Sequence, residues 1–296
     1  MHLVNTYMLP LVIKTFKPVK LISTCWKEQF QMQKLNKFLR LSKTPLYTSW
    51  RMEAVVKVEQ LTKQFGSFIA TNSISFEVKQ GEIFGFLGAN GAGKTTAMRM
   101  LSGLLTPTFG KASVAGFDVA KQAELVKKNI GYMSQKFSLY EDLTIQENIN
   151  FYGGIYGLNR QELIVRSKGI ITKFNLESVQ DKLVKSIPLG WKQKLAFALA
   201  LIHNPKVVFL DEPTGGVDPI TRRQFWDLIY EAANEGVTIF ITTHYMDEAE
   251  YCDRVSIMVD GLIKALGTPS ELKKSFDVDS MDEVFQLLAR GTANKL

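Results

Sequence analysis

At 296 residues, with 46% hydrophobic and 22% charged side chains, 21 Gly and 9 Pro, the chain has material for one large or two ordinary domains, and it lies outside the compositions of collagen, coiled coils and disordered polymers. Two cysteines, Cys25 and Cys252, cannot make a disulfide framework, and the apolar runs break too early to cross a bilayer, as where Lys14 ends the run over 8–13. The formal charge of +7 is concentrated at one end: residues 1–51 hold nine Lys or Arg against one acid, Glu28, which leaves the rest close to neutral and argues against nucleic acid as a partner.

Residues 1–53 read as a basic extension without apolar rhythm, interrupted by Pro10, Pro18 and Pro45. Three readings stay open for it: a flexible arm, a membrane-surface anchor using Trp26, Phe30 and the lysines, or upstream sequence preceding a native start at Met52. From 54 onward β-rich runs over 55–58, 73–78, 83–87, 130–134, 207–210, 238–242 and 255–259 alternate with helical stretches. That alternation predicts an α/β fold with parallel central strands. Between about 138 and 204 the β pattern lapses into helix, broken by Gly153, Gly154, Gly157 and Pro188, which predicts a helical insert. The body spans 54–275, followed by a short helical tail over 276–296.

The run Gly88-Ala89-Asn90-Gly91-Ala92-Gly93-Lys94-Thr95, with a second hydroxyl at Thr96, fits G-x-x-x-x-G-K-[ST]. It follows a buried-strand pattern and precedes Ala97, Leu101 and Leu104 on one helical face. Glycines let the backbone curl so that successive N–H groups and a helix N-terminus converge on a polyanion. Lys94 is placed to neutralise β- and γ-phosphates and Thr95 to ligate Mg²⁺, so ATP and Mg²⁺ are the expected ligands.

The strand over 207–210 ends in Asp211-Glu212. Adjacent strand residues point in opposite directions, so the pair can divide its work: Asp211 for the Mg²⁺ shell, Glu212 as general base toward an attacking water. The strand over 238–242 delivers Thr243-His244 to the sheet edge at which open α/β sheets bind ligands, which makes His244 a candidate hydrogen-bond donor to the γ-phosphate. His203, lacking such a setting, reads as structural.

Together these residues resemble the ATP-binding-cassette ATPases over about 54–290. The resemblance implies a P-loop NTPase (RecA-like) core with an antiparallel β subdomain and an inserted α-helical subdomain. It further implies that Phe65 stacks on adenine, that Gln135 in Gly131-Tyr132-Met133-Ser134-Gln135 touches Mg²⁺ and the attacking water, that Asp218 lies in a loop crossing a dimer interface, and that His244 is the switch histidine. The most diagnostic family motif is degenerate: where Leu-Ser-Gly-Gly is usual, this chain has Ile187-Pro188-Leu189-Gly190, followed by Trp191-Lys192-Gln193-Lys194-Leu195. Pro188 brings neither hydroxyl nor N–H. Gly190 and the helix N-terminus still offer backbone donors, and Trp191 is either a packed ring or a contact to a partner's nucleotide.

The resemblance implies a homodimer, or a heterodimer with a related ATPase, that closes on ATP and powers a separate integral membrane permease, peripheral at the cytoplasmic face of the cell membrane. Leu139, Tyr140, Leu143, Ile149, Phe151 and Tyr152 are either the permease's docking residues or core of the insert. Segments around 214–219, 244–250 and 281–285 are similar to the bacterial exporter branch for drugs, lipids or polysaccharides. A soluble ABC ATPase acting on ribosomes or DNA, and a catalytically weakened ATP-binding subunit, are the alternatives.

Overall fold

The computed structural model describes residues 53–293; residues 1–52 and 294–296, and with them the readings of the basic extension, Met52 and Cys25, lie outside the described residues. Two sheets organise the rest. Strands β1 (Ala54–Phe65), β2 (Phe68–Lys79), β4 (Phe109–Val114) and β5 (Phe117–Asp118) form an antiparallel sheet in the order β2-β1-β4-β5. Strands β3 (Ile83–Leu87), β6 (Ile130–Met133), β7 (Val207–Asp211), β8 (Thr238–Thr243), β9 (Arg254–Val259) and β10 (Leu262–Gly267) form a second sheet in the order β10-β9-β3-β8-β7-β6. Every pair in it is parallel except β10 with β9.

The helices are α1 (Lys94–Leu101), α2 (Ala123–Asn129), α3 (Ile145–Ile155), α4 (Arg160–Lys173), α5 (Leu189–Leu201), α6 (Pro219–Asn234), α7 (Pro269–Phe276) and α8 (Met281–Ala293). Of these, α3, α4 and α7 start in capping boxes: Thr144 with Glu147, Asn159 with Glu162, and Thr268 with Glu271.

The central strands are buried on both faces, as near-continuous apolar runs in parallel sheets require. Alternation sorts them into two cores. Ile83, Leu87, Val208, Leu210, Ile239 and Ile241 face one that includes Phe197 of α5 and Trp226 of α6. Phe84, Phe86, Phe209 and Phe240 face the other, where Phe76 of β2 joins them with ring centroids 5.3–6.1 Å apart. Such aromatic packing clamps the antiparallel sheet onto the parallel one.

The segment over 138–204 contains α3, α4 and α5. Ile149, Ile171 and Phe174 there are buried in the same core as Val208 and Ile239 of the sheet. Beyond 276 the chain is helical and packed: Met281 and Val284 of α8 are buried in that core too.

Some strands differ from expectation. β1 and β2 run to 12 residues each, well past 55–58 and 73–78. Register shifts around Leu61, and left-handed Gln60 at φ 48°, break the alternation by which the sequence would have shown their length. β4, β5 and β10 had no counterpart: Phe109-Gly-Lys-Ala-Ser and Lys264-Ala265 are poor strand formers that tertiary pairing overrides.

Candidate functional site

Strands β3, β8, β7 and β6 are successive neighbours, and their ends are level: Leu87 pairs with Thr243, Asp211 with Thr242, and Met133 with Leu210. The chain segments that carry Gly88, His244, Glu212 and Gln135 therefore leave from one edge, the carboxyl edge, of the sheet.

The phosphate loop joins β3 to α1. Gly93 precedes the helix at φ 101°, and a Cβ there would come within 2.2 Å of the Ala70 carbonyl oxygen on β2, so only glycine fits. Asn90 and Gly91 are exposed, Ala92 is buried and Thr96 half-buried. Lys94 opens α1, and its ammonium donates to the carbonyls of Gly88 at 2.7 Å and Ala89 at 3.1 Å. The same ammonium lies 3.5 Å from Glu212 Oε1. Burial pushes the Lys94 pKa down, opposed by the charge of Glu212 and its hydrogen bond.

Thr95 Oγ1 donates to Asp211 Oδ1 at 3.4 Å, and Thr242 Oγ1 donates to the same oxygen at 2.6 Å. Burial raises the Asp211 pKa despite the Thr242 bond. Glu212 begins beyond β7 with φ 48°, a left-handed conformation that costs a non-glycine residue on the order of 1–3 kcal/mol. This corrects the expectation that strand alternation alone separates the two carboxylates. The backbone reverses at Glu212, whose N–H donates to the Thr242 carbonyl and hydroxyl oxygens, each at 3.1 Å.

Three side chains converge on the Glu212 carboxylate. Besides Lys94, Gln135 Nε2 donates to Oε2 at 3.0 Å, and His244 Nδ1 lies 3.1 Å from Oε2 without forming a hydrogen bond to it. The structure thus brings Lys94, Thr95, Gln135, Asp211, Glu212 and His244 together. Thr242 is the member the sequence reading missed. Its signal was a hydroxyl immediately before Thr243-His244, but its role depends on the β7–β8 register.

Phe65 stands apart from these contacts. It pairs across the hairpin with Phe68, is 49% exposed, and has the Lys63 ammonium 5.1 Å from its ring centre. The hairpin strand opposite carries Ala70, which abuts Gly93.

Gly190, Trp191 and Asp218 belong to a second surface. With Pro188, Leu189, Gly216, Val217, Thr221 and other residues they line an open groove. Asp218 caps α6, its Oδ1 accepting from the N–H groups of Ile220 at 2.9 Å and Thr221 at 3.0 Å. A Cβ on Gly190 would meet Thr221 Cγ2 at 2.8 Å, so the start of α5 and the start of α6 touch there. Trp191 is half-buried against the core, with the Lys194 ammonium 5.2 Å from its ring. The two regions are tied by fully buried Gln193, whose side-chain amide donates to the Pro213 carbonyl next to Glu212.

His203 accepts the structural role expected of it. Its Nε2 lies 2.9 Å from the Ile130 carbonyl oxygen, its ring stacks on Tyr156, and burial drops its pKa to about 4. Of the residues proposed as docking groups or core, Ile149 is core, while Tyr140 and Phe151 are exposed and meet edge to face at 4.5 Å. Among the described residues no helix is long and apolar enough to cross a membrane.

Residues 71–215 match the family described as ABC transporter. The chain is 48% identical over 221 residues to the probable multidrug ABC transporter ATP-binding protein YbhF of Escherichia coli strain K12, a match covering 75% of this chain and 38% of that protein. It is 35% identical over 239 residues to the linearmycin resistance ATP-binding protein LnrL of Bacillus subtilis strain 168, covering 80% of this chain and 76% of the relative. A solved structure of the ATP-binding subunit of an ABC transporter superposes with a TM-score of 0.72 at 28% identity, covering 79% of this chain and 99% of that one. With the phosphate loop, the two carboxylates and the parallel sheet in place, this chain belongs to the ATP-binding proteins of the ABC transporter family.

Proposed function

We propose that the chain hydrolyses ATP as the motor subunit of a drug-exporting complex, acting on a separate membrane permease. One observation carries the proposal: the Glu212 carboxylate sits at the meeting point of Lys94, Gln135 and His244, where the γ-phosphate end of a nucleotide held by the loop over 88–95 has to lie.

Lys94 and the first N–H groups of α1 hold the phosphates. Glu212 accepts a proton from the attacking water as its oxygen bonds to the γ-phosphorus, and the bond from that phosphorus to the bridging oxygen breaks, giving ADP and phosphate. Gln135 orients the water through its bond to Glu212, and His244 meets the γ-phosphate from the β8 side. Phe65 provides a stacking face for adenine. Thr95 and Asp211, with Gln135 near, fit Mg²⁺: they offer hard oxygen donors, and burial leaves Asp211 poor in solvent. No group of three or more His, Cys, Asp or Glu forms a cage among the described residues, which suits an ion that takes few protein ligands and completes its shell with phosphate and water. When bound, the ion neutralises charge on the phosphates.

The groove at Gly190, Trp191 and Asp218 meets the nucleotide of a second ATPase chain, identical or related. Binding of two ATP molecules favours the closed dimer, and loss of the γ-phosphate releases it. Tyr140 and Phe151 receive a short helix of the permease, which holds the chain at the cytoplasmic face of the membrane. Drug export is supported by the naming of YbhF and LnrL.

The test is purification from native membranes in mild detergent, followed by phosphate-release assays with ATP and Mg²⁺. An integral membrane protein should accompany the chain, and the complex should release phosphate. A chain that leaves the membrane fraction alone overturns the permease, and one that releases no phosphate in the complex overturns the motor.

A further inference from the structure

Glu248 has no part in the chemistry above, yet its carboxyl group is fully buried. Its surroundings come from three separate segments. Its Oε1 accepts from Thr214 Oγ1 at 2.6 Å, two residues beyond Glu212, and from Trp226 Nε1 of α6 at 3.4 Å. Arg222 Nε, also of α6, lies 3.8 Å from the same oxygen. Burial raises the Glu248 pKa, opposed by the hydroxyls of Thr214 and then of Thr243, the residue before His244.

A second path leads from Glu248 to His244 through rings. The His244 and Tyr245 rings lie 4.2 Å apart, and the Arg222 guanidinium sits 4.3 Å from the Tyr245 ring centre. The Arg222 backbone N–H donates to the Asp218 carbonyl at 2.9 Å, the ordinary bond of the first turn of α6, so the residue that carries this guanidinium follows directly on the Asp218 loop. One carboxylate therefore touches the loop that runs from Glu212 to Asp218, the first turns of α6, and the segment carrying His244. Burying a carboxyl group in such a place is costly compared with an apolar side chain of similar size, so stability alone is a poor reason for it.

We infer that Glu248 is a positioning residue for ATP hydrolysis, fixing His244 relative to the loop over 213–218 so that contact with the γ-phosphate and the placement of Asp218 change together. The inference rests on the motor reading. It makes Glu248 act through His244, and that gives it a signature that simple support of the fold lacks. Residues acting as one unit have non-additive effects on rate.

The experiment is steady-state ATP hydrolysis by the full-length chain as wild type, Glu248→Ala, His244→Ala and the double variant, with ATP binding followed in parallel. Glu248→Ala should lower kcat by about 10- to 100-fold with KM for ATP shifted less than about threefold, because Lys94 and the phosphate loop are untouched. The double variant should be within about threefold of His244→Ala alone. Glu248→Gln, which keeps an acceptor for Thr214 and Trp226, should restore most of the loss. Should Glu248→Ala fail to fold, Thr214→Val carries the same cycle with the same expectation. An unchanged kcat, a rise in KM without loss of kcat, or losses that multiply in the double variant would each overturn the inference while leaving the motor reading intact. Absence of hydrolysis by the wild type would overturn that reading first, and the inference with it.

Discussion

Around Glu212, side chains that follow four strand ends close on one another: Lys94, Gln135 and His244 reach the carboxylate, and Thr95 and Thr242 hold Asp211. Around Gly190 the polar groups of the motif segment bond mainly within their own helix starts. Pro188 takes the N–H groups of Trp191 and Lys192 on its carbonyl, and Asp218 takes those of Ile220 and Thr221. The outer face there stays apolar and open, with Leu189 and Ile220 exposed. On the proposed reading, the first region acts within one chain and the second is a surface for another molecule. The first is sensitive to single atoms, the second to shape.

Replacing one carboxylate oxygen of Glu212 by nitrogen strikes the first region hardest. Glu212→Gln is expected to lower the rate of phosphate release by about 10²- to 10⁴-fold, the usual contribution of a general base. ATP binding, measured by fluorescence titration, should persist because the loop over 88–95 is intact. A variant that keeps more than a tenth of wild-type turnover would deny Glu212 this role.

Lys94→Ala acts on the same cluster through binding. The Lys94 side chain is only 4% exposed, and its ammonium serves two carbonyls as well as Glu212. Truncating one member of a buried charge pair costs about 2–5 kcal/mol, so nucleotide affinity should fall by about two orders of magnitude or more. Isothermal titration that returned wild-type affinity would mean the loop binds by its backbone alone.

His203 separates perturbed titration from chemistry, since it lies in neither region. Its folded pKa of about 4 is below the ordinary value of 6.5. The unfolded chain therefore binds the proton more readily between those values, and stability is complete above about pH 6.5 and declines as pH falls toward 4. Because the ring is half-buried, the loss should be about 2 kcal/mol at most. Denaturant midpoints at pH 7 and pH 4.5 should lie further apart for wild type than for His203→Gln if the histidine is responsible, the glutamine variant losing less on acidification. An identical loss in both would assign the acid sensitivity to other groups.

Sequence alone shows the first region well because its demands are local. The glycine-rich run ending in Lys94 and an acidic pair ending an apolar strand can each be read within a short window. What escapes it depends on contacts between distant segments. Thr242 matters only because β8 lies beside β7, and the left-handed backbone of Glu212 is set by bonds to Thr242. Glu248 meets Thr214 and Trp226 from segments 34 and 22 positions away. In the fold, the parallel strands are legible as continuous apolar runs, while β4 follows from pairing with β1, which no short window contains, and β10 from the tight Asp260-Gly261 turn after β9, a local signal the reading passed over. Around Gly190 the family pattern itself is eroded, and geometry has to supply what spelling does not.

Pro188→Ser sharpens the contrast at its weaker end. Pro188 stands at the N-cap of α5 and makes no side-chain cap bond. Serine there would accept from an N–H of the first turn and stabilise the helix by about 1 kcal/mol, and its hydroxyl would also face the groove as a donor toward a partner's nucleotide. If the second surface completes the partner chain's site, phosphate release at saturating ATP should rise about threefold, worth roughly 0.7 kcal/mol of barrier, together with a higher melting temperature. The two effects are separable: a raised melting temperature with unchanged turnover means that serine acts only as a cap, and that the backbone amides near Gly190 already provide whatever the closed dimer requires.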